Sequence, residues 1–144
     1  MTPITNPARL NDNANFPGLA DTIEATGNAV QQVWPGGIWQ ANDAAAAQVI
    51  IDGYNPLPYA KAAKIKVIKV DGLARIALIF PALESFDMVS LEAERWQSLT
   101  AGAKSPTANF TKLINTYTAA TNGIAAVNAA VNLAGVAAVT VAWP

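Results

Sequence analysis

Four carboxylates close together in the middle of the chain could do acid–base chemistry: Glu84, Asp87, Glu92 and Glu94. A pair of carboxylates can act as general acid and general base. Glu84 and Asp87, however, fall at the start of a helical pattern, where the positive end of the helix dipole favours acidic side chains. Glu92 and Glu94 are two residues apart, so they diverge on a helix. We therefore interpret all four as structural and predict no catalytic residue.

The composition removes the commonest other sources of chemistry. The chain has no Cys, which excludes disulfides, thiolate catalysis and cysteine-based zinc sites. It has no His, which is the commonest general base and the commonest metal ligand. No phosphate loop, dinucleotide fingerprint, nucleophile elbow or metal-ligand spacing occurs in the sequence. We predict a protein that is not an enzyme and that has no cofactor and no metal site.

Five of the nine basic residues lie in one helical pattern: Lys61, Lys64, Lys66, Lys69 and Arg75. Such a group can bind phosphate or an acidic protein. Because no aromatic residues are interleaved, a solvated helix face is the better interpretation. The net charge of −1 gives no electrostatic reason for bulk nucleic-acid binding. We predict no nucleic-acid partner.

The four tryptophans are the strongest candidates for partner binding. Trp96 falls on the apolar stripe of its helix and is predicted to be core. Trp34 and Trp39 flank Pro35-Gly36-Gly37, and Trp143 is next to the last residue. Loop tips and termini are rarely buried by their own domain, and Trp is enriched where partners meet. We predict that Trp34, Trp39 and Trp143 bind another subunit or partner; the alternative is that they fold back onto the helices as lids.

The low share of charged residues also indicates partners. Charged residues make up 13% of the 144 residues, about half the usual share. Asn, Gln, Thr and Ala take their place. This composition predicts one domain, or a small domain with an appendage, whose surface is partly covered by other subunits.

The first part of the chain is predicted to contain little regular structure. Residues 1–21 are rich in Asn, Pro and Asp, and their apolar residues show neither the strand period of 2 nor the helix period of 3.6. This predicts an extended N-terminal arm. Residues 22–57 are predicted as a small β region with a short helix. Alternation of apolar and polar residues from 22 to 34 predicts two strands around a turn at Thr26-Gly27-Asn28. Residues 38–40 are predicted to form a short third strand. Asn42 or Asp43 is predicted to cap the short helix.

Residues 58–144 are predicted as a helical module that follows the stiff spacer Pro56-Leu57-Pro58. Amphipathic patterns predict helices over residues 60–80, 86–99 and 107–131, with Pro106 at the first position of the third. Their predicted apolar stripes are Ile65, Ile68, Gly72, Ile76 and Ile79; then Phe86, Val89, Ala93, Trp96 and Leu99; then Phe110, Ile114, Tyr117, Thr121, Ile124, Asn128 and Val131. The predicted fold class is α+β: a small N-terminal β meander followed by an Ala-rich helical hairpin or bundle.

One stretch is long enough to span a membrane. No charged side chain follows Lys112, and residues 124–143 would cross a bilayer as a helix. The stretch is mostly Ala, contains Asn128 and Asn132, and has no Lys or Arg after it. A packed helix outside the membrane is therefore the favoured interpretation.

Several runs resemble small tail-associated proteins of bacteriophages. They are residues 43–54 (DAAAAQVIIDGY), 60–65, 72–76, Phe80-Pro81, 105–110 and the terminal Ala142-Trp143-Pro144. The layout is similar to that of tail-fibre assembly proteins, and the resemblance covers about residues 34–144. It implies association with the tail fibre or the baseplate and supplies no catalytic residue. The N-terminal arm does not match this pattern.

These observations together predict a non-enzymatic bacteriophage tail protein that binds the tail fibre or the baseplate. It would act as a virion structural component or as a fibre-assembly chaperone, and it could also form homo-oligomers. The predicted location is the virion tail, after assembly in the host cytoplasm. The alternatives are a small membrane-inserted, holin-like protein and, less favoured, an enzyme.

Overall fold

The structure is a computed structural model that describes residues 1–101 and 107–144. The chain divides into two compact units. The first unit is Met1–Ala60 and the second is Lys61–Pro144. A small antiparallel sheet lies near the N-terminus and several helices follow it, so the predicted α+β fold class is confirmed. The division between the units lies close to the predicted boundary at Pro58.

The first unit is built from short elements. In chain order they are β1 (Thr2–Pro3), α1 (Ala8–Asn11), α2 (Leu19–Glu24), β2 (Val30–Val33), β3 (Ile38–Ala41) and α3 (Ala44–Gly53). The sheet order is β1-β3-β2, and both pairings are antiparallel. Ala41 of β3 pairs with Thr2 on one side and with Val30 on the other. The sheet is therefore not a meander, since its third strand comes from the start of the chain.

The first predicted strand is wrong, because that segment forms α2. Leu19 and Ile23 are both buried and lie four residues apart, which is the spacing of one helix face. Gly27, predicted as part of a hairpin turn, has a φ of 80° just after the helix and helps to end it. The alternation of Ile23 and Ala25 was too short to distinguish a strand from a helix.

Residues 1–21 also differ from the predicted extended arm. Ile4 and Leu10 are buried in the same hydrophobic cluster as Ile23 and Ile51. The guanidinium of Arg9 donates hydrogen bonds to the carbonyl oxygens of Ile51 and Asp52 at 2.7 and 2.9 Å. These are carbonyls of the last turn of α3, which lack partners within the helix. The N-terminal segment is therefore an integral part of the first unit.

Asp43 caps α3, as the sequence predicts. Its side chain accepts a hydrogen bond from the backbone N–H of Ala46 at 2.9 Å. We expect Asp43→Ala to lower the free energy of unfolding by about 1 kcal/mol, because one N–H of the first turn loses its acceptor. Thermal denaturation followed by circular dichroism measures the change. Asp43→Asn is the matched control and should cost much less, since Asn also caps helices; equal losses would contradict this explanation.

The second unit contains the long helices. They are α4 (Leu57–Ala77), which begins at the end of the first unit, α5 (Phe86–Ala101), α6 (Ala108–Ala129) and the short α7 (Leu133–Ala138). Ser85 caps α5 by accepting a hydrogen bond from the N–H of Met88. The predicted start of the third helix at Pro106 lies outside the described residues. The three long helices are thus found close to where the sequence predicts them.

The core of the second unit forms where these helices meet. Ile76 of α4 clusters with Val89 and Ala93 of α5 and with Leu113 of α6. The stripes predicted for α4 and α5 face this core: Ile68, Gly72, Ile76, Val89 and Ala93 are buried, and Ile65, Ile79, Phe86, Trp96 and Leu99 are half-buried. Phe110 stacks on Trp96 with ring centroids 4.1 Å apart. Trp96 is therefore a packing residue, as predicted.

The stripe predicted for α6 is displaced by one residue. The buried residues are Leu113, Thr116, Ala120, Gly123 and Val127. Each of these five residues comes one position before a residue of the predicted stripe. The stripe residues from Phe110 to Ile124 are half-buried, and the last two, Asn128 and Val131, are exposed. A displacement of one residue rotates the contact face by about 100°. The buried face therefore combines Leu113 and Val127 with three small residues, and the aromatic side chains lie at its edge.

The possible membrane span is divided among several elements. Residues 124–143 cover the end of α6, a break at residues 130–132, α7 and an extended tail. Within the described ranges, each helix is too short or too polar to cross a bilayer. Residues 124–143 therefore do not form one continuous helix.

Candidate protein-interaction site

The two faces of the β2–β3 hairpin have different surroundings. Side chains alternate between the faces of a strand. Val30 and Ala41 form a pair on the face that is buried in the first unit. Val33 and Ile38 form a pair on the opposite face, and both are exposed. The strand pattern therefore places two large apolar side chains in water at the end of the hairpin.

A tight turn of residues 34–37 joins the two strands. Gly36 and Gly37 have φ values of 115° and 62°, and the bond between Trp34 and Pro35 is cis. Only glycine adopts such positive φ values without strain, so the Gly-Gly sequence follows from the shape of this turn. The side-chain amide of Gln32 donates a hydrogen bond to the carbonyl oxygen of Gly37 at 3.1 Å. The turn is thus fixed by the strand that leads into it.

Trp39 lies on the buried face of the hairpin. It packs against the hydrophobic cluster of the first unit, and its indole N–H donates a hydrogen bond to Oδ1 of Asn11 at 2.7 Å. Trp39 therefore connects the sheet to the end of α1. For this residue the structure shows the folded-back arrangement that the sequence left as the alternative.

Trp34 is the exposed tryptophan of the hairpin. Trp34 is 73% exposed, and the edge of its ring lies near Gly37 of the turn. We call Trp34 and the exposed pair of Val33 and Ile38 the hairpin patch. Single exposed apolar residues are common on protein surfaces, whereas three large ones at the end of one hairpin, including a Trp, indicate an interaction site. The sequence singled out Trp34 but missed Val33 and Ile38, which strand parity could have identified.

Trp143 packs onto the second unit. Its ring covers Gly72 of α4, where a Cβ atom would lie 3.4 Å from the ring. The guanidinium of Arg75 lies 4.9 Å from the ring centroid, in a cation–π arrangement. Next to it, Val141 covers Gly123 of α6, where a Cβ atom would lie only 2.6 Å away. Of the three predicted partner-binding residues, the structure therefore leaves only Trp34 largely exposed.

Glu92 and Glu94 of α5 have structural partners. Glu92 accepts a hydrogen bond from the indole N–H of Trp96 at 2.9 Å and lies 3.4 Å from Arg95. Glu94 accepts a hydrogen bond from the Tyr117 hydroxyl at 3.3 Å. The two carboxylates therefore serve different neighbours and do not form an acid–base pair. This agrees with the structural role predicted for them.

Two polar features of the first unit also have structural explanations. A groove of ≈ 670 Å³ beside α3 is bordered by Asn28 and Asp43, but the Asn28 amide is held by the backbone of Asp43 at 2.7 and 2.9 Å. The Tyr59 hydroxyl donates a hydrogen bond to Asp21 at 3.2 Å, and this bond raises the pKa of Tyr59. Both contacts hold the unit together. The hairpin patch is therefore the better candidate for binding.

Comparisons with known proteins add no relative. No protein-family model, no curated protein and no solved structure matches the chain.

Proposed function

We propose that this protein is a non-enzymatic component of bacteriophage tail assembly that binds the tail fibre or the baseplate through the hairpin patch. It acts either as a retained virion part or as a fibre-assembly chaperone. The observation that carries the proposal is the exposure of Trp34, Val33 and Ile38 at the end of the hairpin. The identity of the partner rests on the resemblance described above.

The hairpin patch has the properties of a binding hot spot. Burying apolar surface contributes about 25 cal/mol per Å², and Trp has the largest side chain. A residue is called a hot spot when its truncation to Ala costs about 2 kcal/mol or more of binding free energy, and a Trp at the centre of an interface often meets this criterion. The Gln32 hydrogen bond to Gly37 holds the turn in one shape before binding. Such preorganisation reduces the conformational entropy that is lost when a partner binds.

The low charge of the chain supports the same proposal. Interface centres are depleted in charged residues and enriched in aromatic ones. The tip of the hairpin, residues 33–38, contains no charged side chain at all. A partner that covers it would therefore not need to desolvate a charge. A complementary apolar pocket on the fibre or baseplate protein would suffice.

Trp34→Ala tests the proposed binding surface. The full-length chain is co-expressed with the tail-fibre protein of the same genome, and the complex is quantified by affinity capture. We expect the variant to bind about thirtyfold more weakly, which corresponds to about 2 kcal/mol, while its melting temperature stays unchanged. Val49→Ala is the matched control, because Val49 is 74% exposed in the same unit but lies on α3, away from the hairpin.

The outcomes of the co-expression experiment separate the two forms of the proposal. A fibre that becomes soluble and trimeric only with this protein supports the chaperone role. Stoichiometric amounts of the chain in purified virions support the structural role. Equal binding by the Trp34→Ala variant and the unmodified chain would overturn the hairpin patch as the binding site. No capture of a fibre or baseplate protein, together with absence from virions, would overturn the proposed function.

A further inference from the structure

Helix α4 is apolar on two opposite sides. Its inner side carries Ile68, Gly72 and Ile76, which are buried. Its outer side carries five exposed apolar residues, here called the outer stripe: Ala63, Val67, Val70, Ala74 and Ala77. At 100° per residue the centre of the outer stripe lies about 180° from the centre of the buried face. The core of the second unit therefore uses only half of the apolar surface of α4.

The spacing of the outer stripe is that of a coiled coil. Its members follow one another at intervals of four, three, four and three residues. This 3.5-residue average keeps a seam facing a partner helix over successive turns. Val67 and Val70 at its centre are 54% and 57% exposed. A helix that only borders water would carry polar residues at these positions.

We propose that the outer stripe binds the outer stripe of a second copy of this chain, as a parallel two-stranded coiled coil. In heptad terms Val67 and Ala74 occupy positions a, and Ala63, Val70 and Ala77 occupy positions d. The three Ala residues let the helix backbones approach closely. This inference concerns self-association and does not depend on the proposed tail function.

Charge complementarity favours a second copy in parallel orientation. In this register Lys66 is at position g and Asp71 is at position e, five residues later. Parallel coiled coils bring position g of one helix beside the following position e of the other. Lys66 of one copy would therefore lie beside Asp71 of the other copy, and the two-fold symmetry repeats the pair. Both side chains lie in exposed residues of the single chain, so both are accessible.

The next g and e positions add no second pair. Leu73, at position g, packs against the core of the second unit, and Leu78, at the following position e, lies one residue beyond the end of α4. Lys66 and Asp71 are therefore the pair that distinguishes the parallel register, because an antiparallel helix would not bring position g beside the following position e.

Concentration-dependent sedimentation of the full-length chain tests the proposal. We expect a monomer–dimer equilibrium in which Val70→Glu weakens dimerisation at least tenfold, because each dimer would then bury two carboxylates at the seam. Val131→Glu is the matched control: Val131 is also exposed in the second unit but is not on α4. Circular dichroism establishes that both variants keep the fold. A chain that stays monomeric at every concentration would overturn the proposal.

A charge swap tests the register. Lys66→Glu alone, or Asp71→Lys alone, places like charges together and should weaken dimerisation about three- to tenfold, whereas the double variant restores it. Salt should reduce all these differences. A dimer whose affinity is the same in the single variants and in the double variant would overturn the assigned register.

A cysteine cross-link tests the orientation. The chain has no Cys of its own, so Val70→Cys introduces a single thiol. In a parallel pair the two d positions face each other within disulfide reach, and oxidation should give a covalent dimer. Val131→Cys should not cross-link at the same rate. If the Val70→Cys variant dimerises but does not cross-link on oxidation, the parallel arrangement is overturned.

A different result would assign the outer stripe to another partner. If the unmodified chain is monomeric and Val70→Glu loses fibre capture, the outer stripe binds the fibre protein and not a second copy.

Discussion

Replacing Leu113 by Ala should lower the free energy of unfolding of the second unit by about 2 to 5 kcal/mol. Leu113 is 0% exposed and lies where Ile76 of α4 and Val89 of α5 meet α6. Ala would remove apolar contacts with both helices and leave a cavity that rigid neighbours can fill only in part. Chemical denaturation followed by circular dichroism measures the loss as a shift of the midpoint.

Leu91→Ala is the matched control for this prediction. Leu91 also lies in the middle of a helix of the second unit, α5, but it is 70% exposed. Its replacement should change the free energy of unfolding by less than about 0.5 kcal/mol, as surface substitutions usually do. Similar losses in the two variants would mean that Leu113 is not at the centre of the core, and the packing described for α6 would be wrong.

The position of Leu113 shows how far a sequence pattern determines a helix contact. The existence and approximate bounds of α4, α5 and α6 follow from the 3.6-residue period. The rotation of α6 about its own axis, which decides the face that is buried, does not follow from the period. Large and small residues repeat with the same spacing on adjacent faces of this helix. If the buried face is chosen by the largest apolar side chains, Tyr117 and Ile124 are selected, whereas the structure buries Thr116 and Gly123. Small residues allow close backbone approach, and this advantage depends on the neighbouring helix.

The first unit shows the effect of contacts that are distant in sequence. Its sheet is completed by residues 2–3, which pair with residues 40–41. Thr2 and Pro3 carry no local strand pattern, so only the partner strand makes them β structure. Arg9 likewise acquires its role from the carbonyls of Ile51 and Asp52. Neither contact could be predicted from the composition of a Pro- and Asn-rich segment.

The candidate site was predictable in part. Residue type alone marks Trp34, Trp39 and Trp143 as unusual in so lightly charged a chain. The exposure of each depends on structure: strand parity turns Trp39 inward, and the turn at residues 34–37 carries Trp34 outward. For Trp143 the deciding feature is the packing of its ring on Gly72 and Arg75 of α4, two residues far away in the sequence. A glycine in the middle of an apolar stripe is a signal that another group covers it.

The hairpin patch and the outer stripe are separate proposals that can be tested separately. The first belongs to the unit Met1–Ala60 and the second to α4 residues of the unit Lys61–Pro144. Trp34→Ala should leave dimerisation unchanged, and the Lys66→Glu/Asp71→Lys double variant should leave fibre capture unchanged. Failure of one proposal therefore leaves the other intact. Together they give two apolar surfaces through which so lightly charged a chain can contact other subunits.

The C-terminal tail contacts its own unit, so we expect its tryptophan to contribute to stability. Trp143 covers Gly72, and Val141 covers Gly123. These two glycines lie in different helices, α4 and α6. The tail therefore packs on both helices. Its removal would expose the apolar surface of both.

Trp143→Ala should lower the free energy of unfolding by about 2 kcal/mol, less than the ~3–5 kcal/mol of a fully buried Trp because this ring is only half-buried. The loss combines apolar contact with Gly72 and the cation–π contact with Arg75. Trp143→Phe keeps a ring in place and should lose only about half as much. Chemical denaturation measures stability, and fibre capture is measured on the same samples. Unchanged stability with lost capture would show instead that the tail binds a partner, as the sequence alone suggested.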